Sequence, residues 1–256
     1  MLINMIKTNL ALSVSLLCLS CTALASTSWT PNSFQNLEIS AAVGPNWAKT
    51  SSTHLVVSSY ETDSVLVSSV ANHPLWKIGV GYRFFADQLQ QRSFLNDLLV
   101  ELNLYQSSET VHGNTWQYQL PQFNNYSFSA PVTSTRLMLD AKPGLFTMKH
   151  VSLYPILGLG ASWNNMAYNE TVTGAAVSPN SGYALKRSTA SSFAYDLGAG
   201  IRIDFTEHLS ATLEYLYANL GNISPSGTSK NGDPIMSSPT FNVCNNSLLL
   251  GINWKF

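Results

Sequence analysis

Charge is scarce in this chain. Asp, Glu, Lys and Arg make up 11% of its 256 residues, against about 25% in an ordinary soluble domain. Long apolar runs are missing as well. Past residue 25 nothing approaches the roughly 18 apolar residues of a membrane-spanning helix, and the mean hydropathy is near zero. These two shortages argue against both an ordinary soluble protein and a helical membrane protein. Cysteine is almost absent, with only Cys18, Cys21 and Cys244. The first two fall in a leader, so the mature chain keeps one thiol and cannot build a disulfide framework. The formal net charge is −1 and becomes more negative once Lys7 is removed, which argues against a nucleic-acid partner. His54, His73, His112, His150 and His208 are scattered without metal-ligand spacing, so neither a metal nor a cofactor is expected.

What is present begins with the leader. Lys7 precedes an apolar run from Leu10 to Leu19, and Ala23-Leu24-Ala25 follows. This is the charged, apolar and small-residue order of a secretory signal. Residues 1–25 are therefore expected to be a signal peptide, and 26–256 the mature domain. Cys21 raises a lipoprotein alternative, but Cys18 stands where such signals need an aliphatic residue.

The other end alternates. Leu248, Leu250, Ile252, Trp254 and Phe256 interleave with Leu249, Gly251, Asn253 and Lys255. A period of two places the first set on one face of a β-strand. The same rhythm predicts eight strands, near 35–43, 75–85, 94–105, 132–142, 150–162, 193–205, 209–219 and 246–256. Short connections (86–93, 143–149, 206–208) alternate with long ones (44–74, 106–131, 163–192, 220–245) rich in Ser, Thr, Asn, Gly and Pro. Short turns on one side and long loops on the other are the form of a bacterial outer-membrane barrel. The expected fold is all-β: an eight-stranded antiparallel transmembrane β-barrel, an up-and-down meander with four long extracellular loops and both termini in the periplasm. No further domain is expected after Phe256. Pro155 cannot donate to a ladder, so a bulge or open stretch is expected there.

The complementary parity carries charge: Glu38, Lys77, Arg83, Asp97, Glu101, Arg136, Asp140, Lys142, Asp196, Arg202, Asp204, Glu214 and Lys255. An Arg or Lys facing lipid at the midplane costs about 2–4 kcal/mol, so these side chains must point into the lumen and pair there. Approximate register sets Arg83 with Asp97, Lys77 with Glu101, Arg202 with Glu214, Arg136 with Glu101, and Glu38 with Lys255. A lumen of eight strands is just wide enough for side chains to fill. The network is thus structural or, alternatively, a gate along a narrow ion path. Aromatics gather toward strand ends, with Phe84, Phe205, Trp254 and Phe256 at one and Trp76, Tyr105, Trp163, Tyr195 and Tyr217 at the other. Two interfacial girdles account for them. Trp47, Tyr60, Trp116, Tyr118, Phe123, Tyr126, Tyr168 and Tyr183 fall in the long loops, where exposed rings mark recognition or loops packing on one another.

His150-Val151-Ser152 resembles the His-x-Ser of outer-membrane lipid A deacylases, but Leu153 stands where they carry Asn, and the position is periplasmic. No catalytic residue is expected.

Ala23-Leu24-Ala25, the glycine-rich strands Trp76–Tyr82, Tyr154–Gly160 and Leu197–Ile201, and the terminal Asn253-Trp254-Lys255-Phe256 together resemble the opacity-protein and OmpA-type family of small outer-membrane barrels. The resemblance implies an integral outer-membrane protein set in lipid and lipopolysaccharide. It also implies that Trp254 and Phe256 form the signal read by the barrel assembly machinery. Such proteins anchor the envelope, bind host or envelope ligands through their loops, or form narrow pores. The expected function is a monomeric, non-catalytic structural or surface-interaction protein, adhesin-like. The alternatives are a narrow porin and, more remotely, a lipid A hydrolase.

Overall fold

The computed structural model describes residues 36–85, 95–174, 182–228 and 235–256. The expected signal peptide and the 86–93 turn lie outside these. The wall is built from β1 (Leu37–Gly44), β2 (Asn46–Thr50), β3 (Thr53–Ser58), β4 (Glu61–Asn72), β5 (Leu75–Phe85), β6 (Asp97–Trp116), β7 (Asn124–Gly144), β8 (Phe146–Met148), β9 (Val151–Val172), β10 (Ala184–Asp204), β11 (Leu209–Ile223) and β12 (Phe241–Lys255). An eight-stranded antiparallel ring runs β1, β12, β11, β10, β9, β7, β6, β5 and back to β1. It closes with Glu38 opposite Lys255 and Val43 opposite Leu250.

Three strands, β2, β4 and β8, are continuations, and β3 pairs with β4. β1 and β2 follow β12 in turn, with a break at Pro45. β5 faces β6 as far as Gln106, and β4 takes over from Glu109 to Trp116. β8 carries on from β7 against β9. Consequently three of the four expected long loops are largely strand, and the fourth, 220–245, is strand only at its ends among the described residues. Residues 44–74 hold β2, β3 and β4, and β6, β7, β9 and β10 each run well past the expected boundaries. The expected 143–149 turn likewise contains β8, whose Phe146 and Met148 are exposed.

The reason is a change of surroundings. On β7 the inward residues are even-numbered throughout. Lower down they are Arg136, Asp140 and Lys142, and the outward residues are Leu137, Leu139 and Ala141. Higher up the inward residues are Tyr126, Phe128, Ala130 and Val132, and the outward ones Ser127, Ser129 and Thr133. The parity never changes; the polarity does. Lipid rewards apolar side chains facing out, and water rewards the same side chains facing in. Trp47, Trp76 and Trp163, all exposed, mark the height of the change, and Phe84, Phe205 and Trp254 mark the opposite end. β6 continues ten residues past Gln106, the partner of Trp76. At about 3.4 Å per residue and a tilt near 40°, the wall projects about 25 Å beyond the outer girdle.

Pro155 sits at an irregularity. β7 pairs with β9 down to Ala141 opposite Leu157, and pairing resumes at Phe146 opposite Leu153. Four residues on one side (142–145) therefore face three on the other (154–156), a bulge with one extra residue. The Leu145 N–H donates to the Leu153 carbonyl at 3.0 Å, so by the period of two Pro155 faces the same interrupted side. There no ladder hydrogen bond is asked of it.

Candidate functional site: the lumen and the rim

Inside the lipid-facing belt the lumen is a stack of ion clusters. At the end of the barrel that holds Leu37 and Phe256, Arg83 donates to Asp97 at 2.6 Å and to Glu38 from Nε at 3.0 Å. Arg202 reaches Asp97 at 3.0 Å and Asp204 at 3.1 Å. One level up, Lys142 bridges Glu101 at 2.6 Å and Glu214 at 2.7 Å. Lys77 lies 2.9 Å from Glu214 and 3.7 Å from Glu101. Tyr154 donates its hydroxyl to Glu214 and Ser40 donates to Glu101. Higher still, Asn103 and Tyr105 both donate to Asp140 at 2.7 Å. The Arg136 guanidinium lies 4.4 Å over the Tyr105 ring and 3.8 Å from Asp196. Glycines make room: a Cβ on Gly158 would meet Asp140 Oδ1 at 2.3 Å, and one on Gly200 would meet the Tyr154 ring at 2.6 Å.

The register misplaced several partners. Arg202 lies with Asp97 and Asp204 rather than Glu214, and Arg136 with Asp196 rather than Glu101. Glu38 and Lys255 are cross-strand neighbours, but the Glu38 carboxylate is held by Arg83. Lys255 sits 5.6 Å over the Phe85 ring at the mouth. Tyr105 faces the lumen rather than the outer girdle, since its inward parity and the Asp140 acceptor hold it there. Glu109 escaped notice because it fell in an expected loop, although its even spacing from Glu101 was the available signal. It accepts from Asn46 at 2.7 Å and from Asn245 at 3.1 Å.

An open vestibule of about 370 Å³ at this same mouth is lined by Glu38, Arg83, His150, Arg202, Asp204, His208 and Lys255, among others. Past Arg83, Asp97 and Arg202 it gives way to a void of about 10 Å³, room for about one water. Ser152 hydrogen-bonds Thr147 and Arg202. No hydrogen bond joins it to His150 among the described residues. Trp254 faces outward at the lower girdle, and the Phe256 N–H donates to the Leu37 carbonyl at 3.0 Å.

Above the belt the lumen is closed by an apolar core that includes Leu55, Val65, Val111, Phe128, Met166, Tyr168, Leu185, Ile223 and Phe241. Tyr126 and Tyr168, two of the expected loop rings, are buried, Tyr168 within this core, as the alternative of loops packing on one another expected, and Trp47 belongs to the outer girdle. The rest of the expected loop set sits at the rim. Asp63 Oδ1 accepts the Tyr118 N–H at 3.0 Å. Glu170 accepts from the Tyr168 hydroxyl at 2.7 Å and from the Tyr183 N–H at 2.9 Å. Asn125 donates its amide to the Gln117 side chain, and its carbonyl accepts from Thr173. Thus the Asp63 side chain ties the 59–60 hairpin to 117–123, and backbone bonds from Thr173 and Gly174 to the Asn125 carbonyl tie that hairpin to the described flank of 173–183. Burial pushes the Asp63 carboxyl up to about 7, opposed by the Tyr118 N–H and reinforced by Glu61 and Glu170. Burial also raises Glu170.

A closed ring with lipid outside and paired charge inside is the architecture of one protein class. Residues 11–256 match the outer membrane protein beta-barrel domain. The chain belongs to the outer-membrane β-barrel family. It is therefore an integral protein of the bacterial outer membrane. Similar solved structures include Neisserial surface protein A (16% identity, 86% of this chain and 97% of that one covered, TM-score 0.39). The outer membrane protease OmpT of Escherichia coli is 8% identical over 90% of this chain and 100% of that one, with TM-score 0.49. The attachment invasion locus protein Ail of Yersinia pestis is 14% identical over 86% and 99%, with TM-score 0.31. No curated protein matches the sequence. Membership of the outer-membrane β-barrel family fixes compartment and fold.

Proposed function

We propose that this outer-membrane barrel is a non-catalytic structural and surface-interaction protein whose extracellular rim makes the contacts. One observation carries the reading: the lumen is packed in two successive media. Ion clusters fill it from Arg83 to Arg136, and an apolar core fills it above. A path for solutes would have to break buried charge pairs and then cross hydrocarbon, each unfavourable by several kcal/mol. The projecting wall, in contrast, ends in an ordered rim with exposed rings, the kind of surface that serves recognition. The Ser152 surroundings support the absence of catalysis, since its hydroxyl is engaged by Thr147 and Arg202. Lipopolysaccharide around the girdles and the assembly machinery at Trp254 and Phe256 are the envelope partners proposed with it. Planar-bilayer recording tests the reading: the purified protein is expected to give no stable conductance steps. Stable steps that grow in the Glu101→Ala variant overturn it in favour of a narrow channel. Lipid A altered only when the protein is present, seen by mass spectrometry, would overturn it in favour of a hydrolase.

A further inference from the structure

The tip joining β6 to β7 is built to hold rings outward. Residues 117–123 form two short 3-10 turns, with Tyr118 and Gln119 at φ of 53° and 60°. That left-handed region is unfavourable for a bulky side chain. Such residues persist where surrounding contacts over-determine them, and they gather at binding sites. Here the contacts are Asp63 on the Tyr118 N–H and Asn125 on Gln117. The outcome is an exposed apolar ridge of Tyr118, Leu120 and Phe123, with the Tyr118 and Phe123 rings edge to face at 6.2 Å. Tyr60, 92% exposed, stands on the hairpin that carries Asp63.

The ground beside the ridge is acidic. Glu61 and Glu170 lie close enough to raise the Asp63 carboxyl, and Glu61 close enough to raise that of Glu170, and no ion pair among the described residues involves any of the three. This contrasts with the lumen, where lysine and arginine accompany most carboxylates. The complement to exposed rings beside unpaired carboxylates is a guanidinium or ammonium flanked by apolar groups. Such a cation can lie over Tyr118 or Tyr60 and face Glu61 at once.

We infer that this rim is a docking surface for a protein segment that carries arginine or lysine beside apolar side chains. The inference rests on the surface-interaction reading and names its partner class.

The test uses the whole barrel in lipid nanodiscs and two twelve-residue peptides of equal leucine content, one with four arginines and one with four glutamates. The arginine peptide is expected to bind at least about tenfold more tightly, the scale of one anchoring contact. The double variant Tyr118→Ser/Phe123→Ser is expected to lose that margin while keeping the parent's β-sheet circular dichroism. Glu61→Gln is expected to weaken arginine-peptide binding and flatten its salt dependence. Equal binding of both peptides, or full binding by the double variant, overturns the inference. So does tighter binding to phosphatidylcholine vesicles than to the arginine peptide, since the ridge would then serve a lipid surface. Because the surface-interaction reading is judged by bilayer conductance, a silent barrel that ignores the arginine peptide removes this inference alone.

Discussion

Below the Trp76 level the barrel packs carboxylates, guanidinium and ammonium groups against one another inside a lipid-facing wall. Above it the same strands pack Phe128, Met166 and Leu185 inside a wall of Ser, Thr and Asn. β10 and β11 keep apolar residues inward across register shifts at Leu185/Ser188 and Asn219/Asn222. β6, β7, β9 and β12 run through both halves with one inward parity, so on them neither backbone nor topology accounts for the difference. The solvent does. Where lipid surrounds the wall, the lumen is the polar side, and charges there must satisfy one another. Where water surrounds it, the lumen is the apolar side and the barrel is held as a soluble sheet is.

The comparison predicts different weaknesses, tested first by one substitution in each interior. Glu101→Ala leaves Lys77 and Lys142 short of a partner and is expected to cost about 3–5 kcal/mol. Phe128→Ala opens a cavity in the upper core at a similar cost of about 3–5 kcal/mol. Urea unfolding from vesicles measures both. Trypsin sensitivity should separate them, with the Phe128 variant cut in the projecting wall while the belt stays protected. Cleavage of both variants alike would show that the halves do not differ.

The outer faces give the next contrast. Leu159→Arg, in the belt, is expected to lose about 2–4 kcal/mol, and Asn114→Arg, outward on the projecting wall, about 0.5 kcal/mol or less. Equal losses would break the assignment of lipid and water to the two levels. The smallest effect is at the rim. Asp63 titrates near 7 in the folded chain against an ordinary 3.8, so between these values the native state holds the proton that the unfolded state has lost. Rim stability therefore falls as pH rises from about 4 to 7. Amide exchange at Tyr118 is expected to quicken over that range, and Asp63→Asn to remove the dependence while keeping an acceptor for the Tyr118 N–H.

The belt was legible because lipid imposes a strict code: Leu98, Val100, Leu102 and Leu104 outward, Asp97 and Glu101 inward. The projecting wall was hidden by the same code. Ser127 and Ser129 read as loop because their alternation with Tyr126 and Phe128 runs opposite to a membrane strand. That opposite alternation was itself a strand signal, for a strand in water. The charge partners were less legible. Cross-strand register finds neighbours such as Arg83 and Asp97, but Arg202 reaches Asp97 across the lumen, and only the closed ring brings those strands together. The rim was visible as rings in loops, yet its selection of Tyr60, Tyr118 and Phe123 over Tyr126 and Tyr168 depends on how high each one stands.

The reversal of polarity also acts as a waterline. Sinking by one rung pair would drag Thr135 and Ser108 into hydrocarbon, and rising by one would lift Leu137 and Leu104 into water. The molecule therefore floats at a set draught, and its freeboard is fixed at about 25 Å. Whatever meets the rim has to arrive at that height, and molecules lying lower on the bacterial surface leave the berth clear.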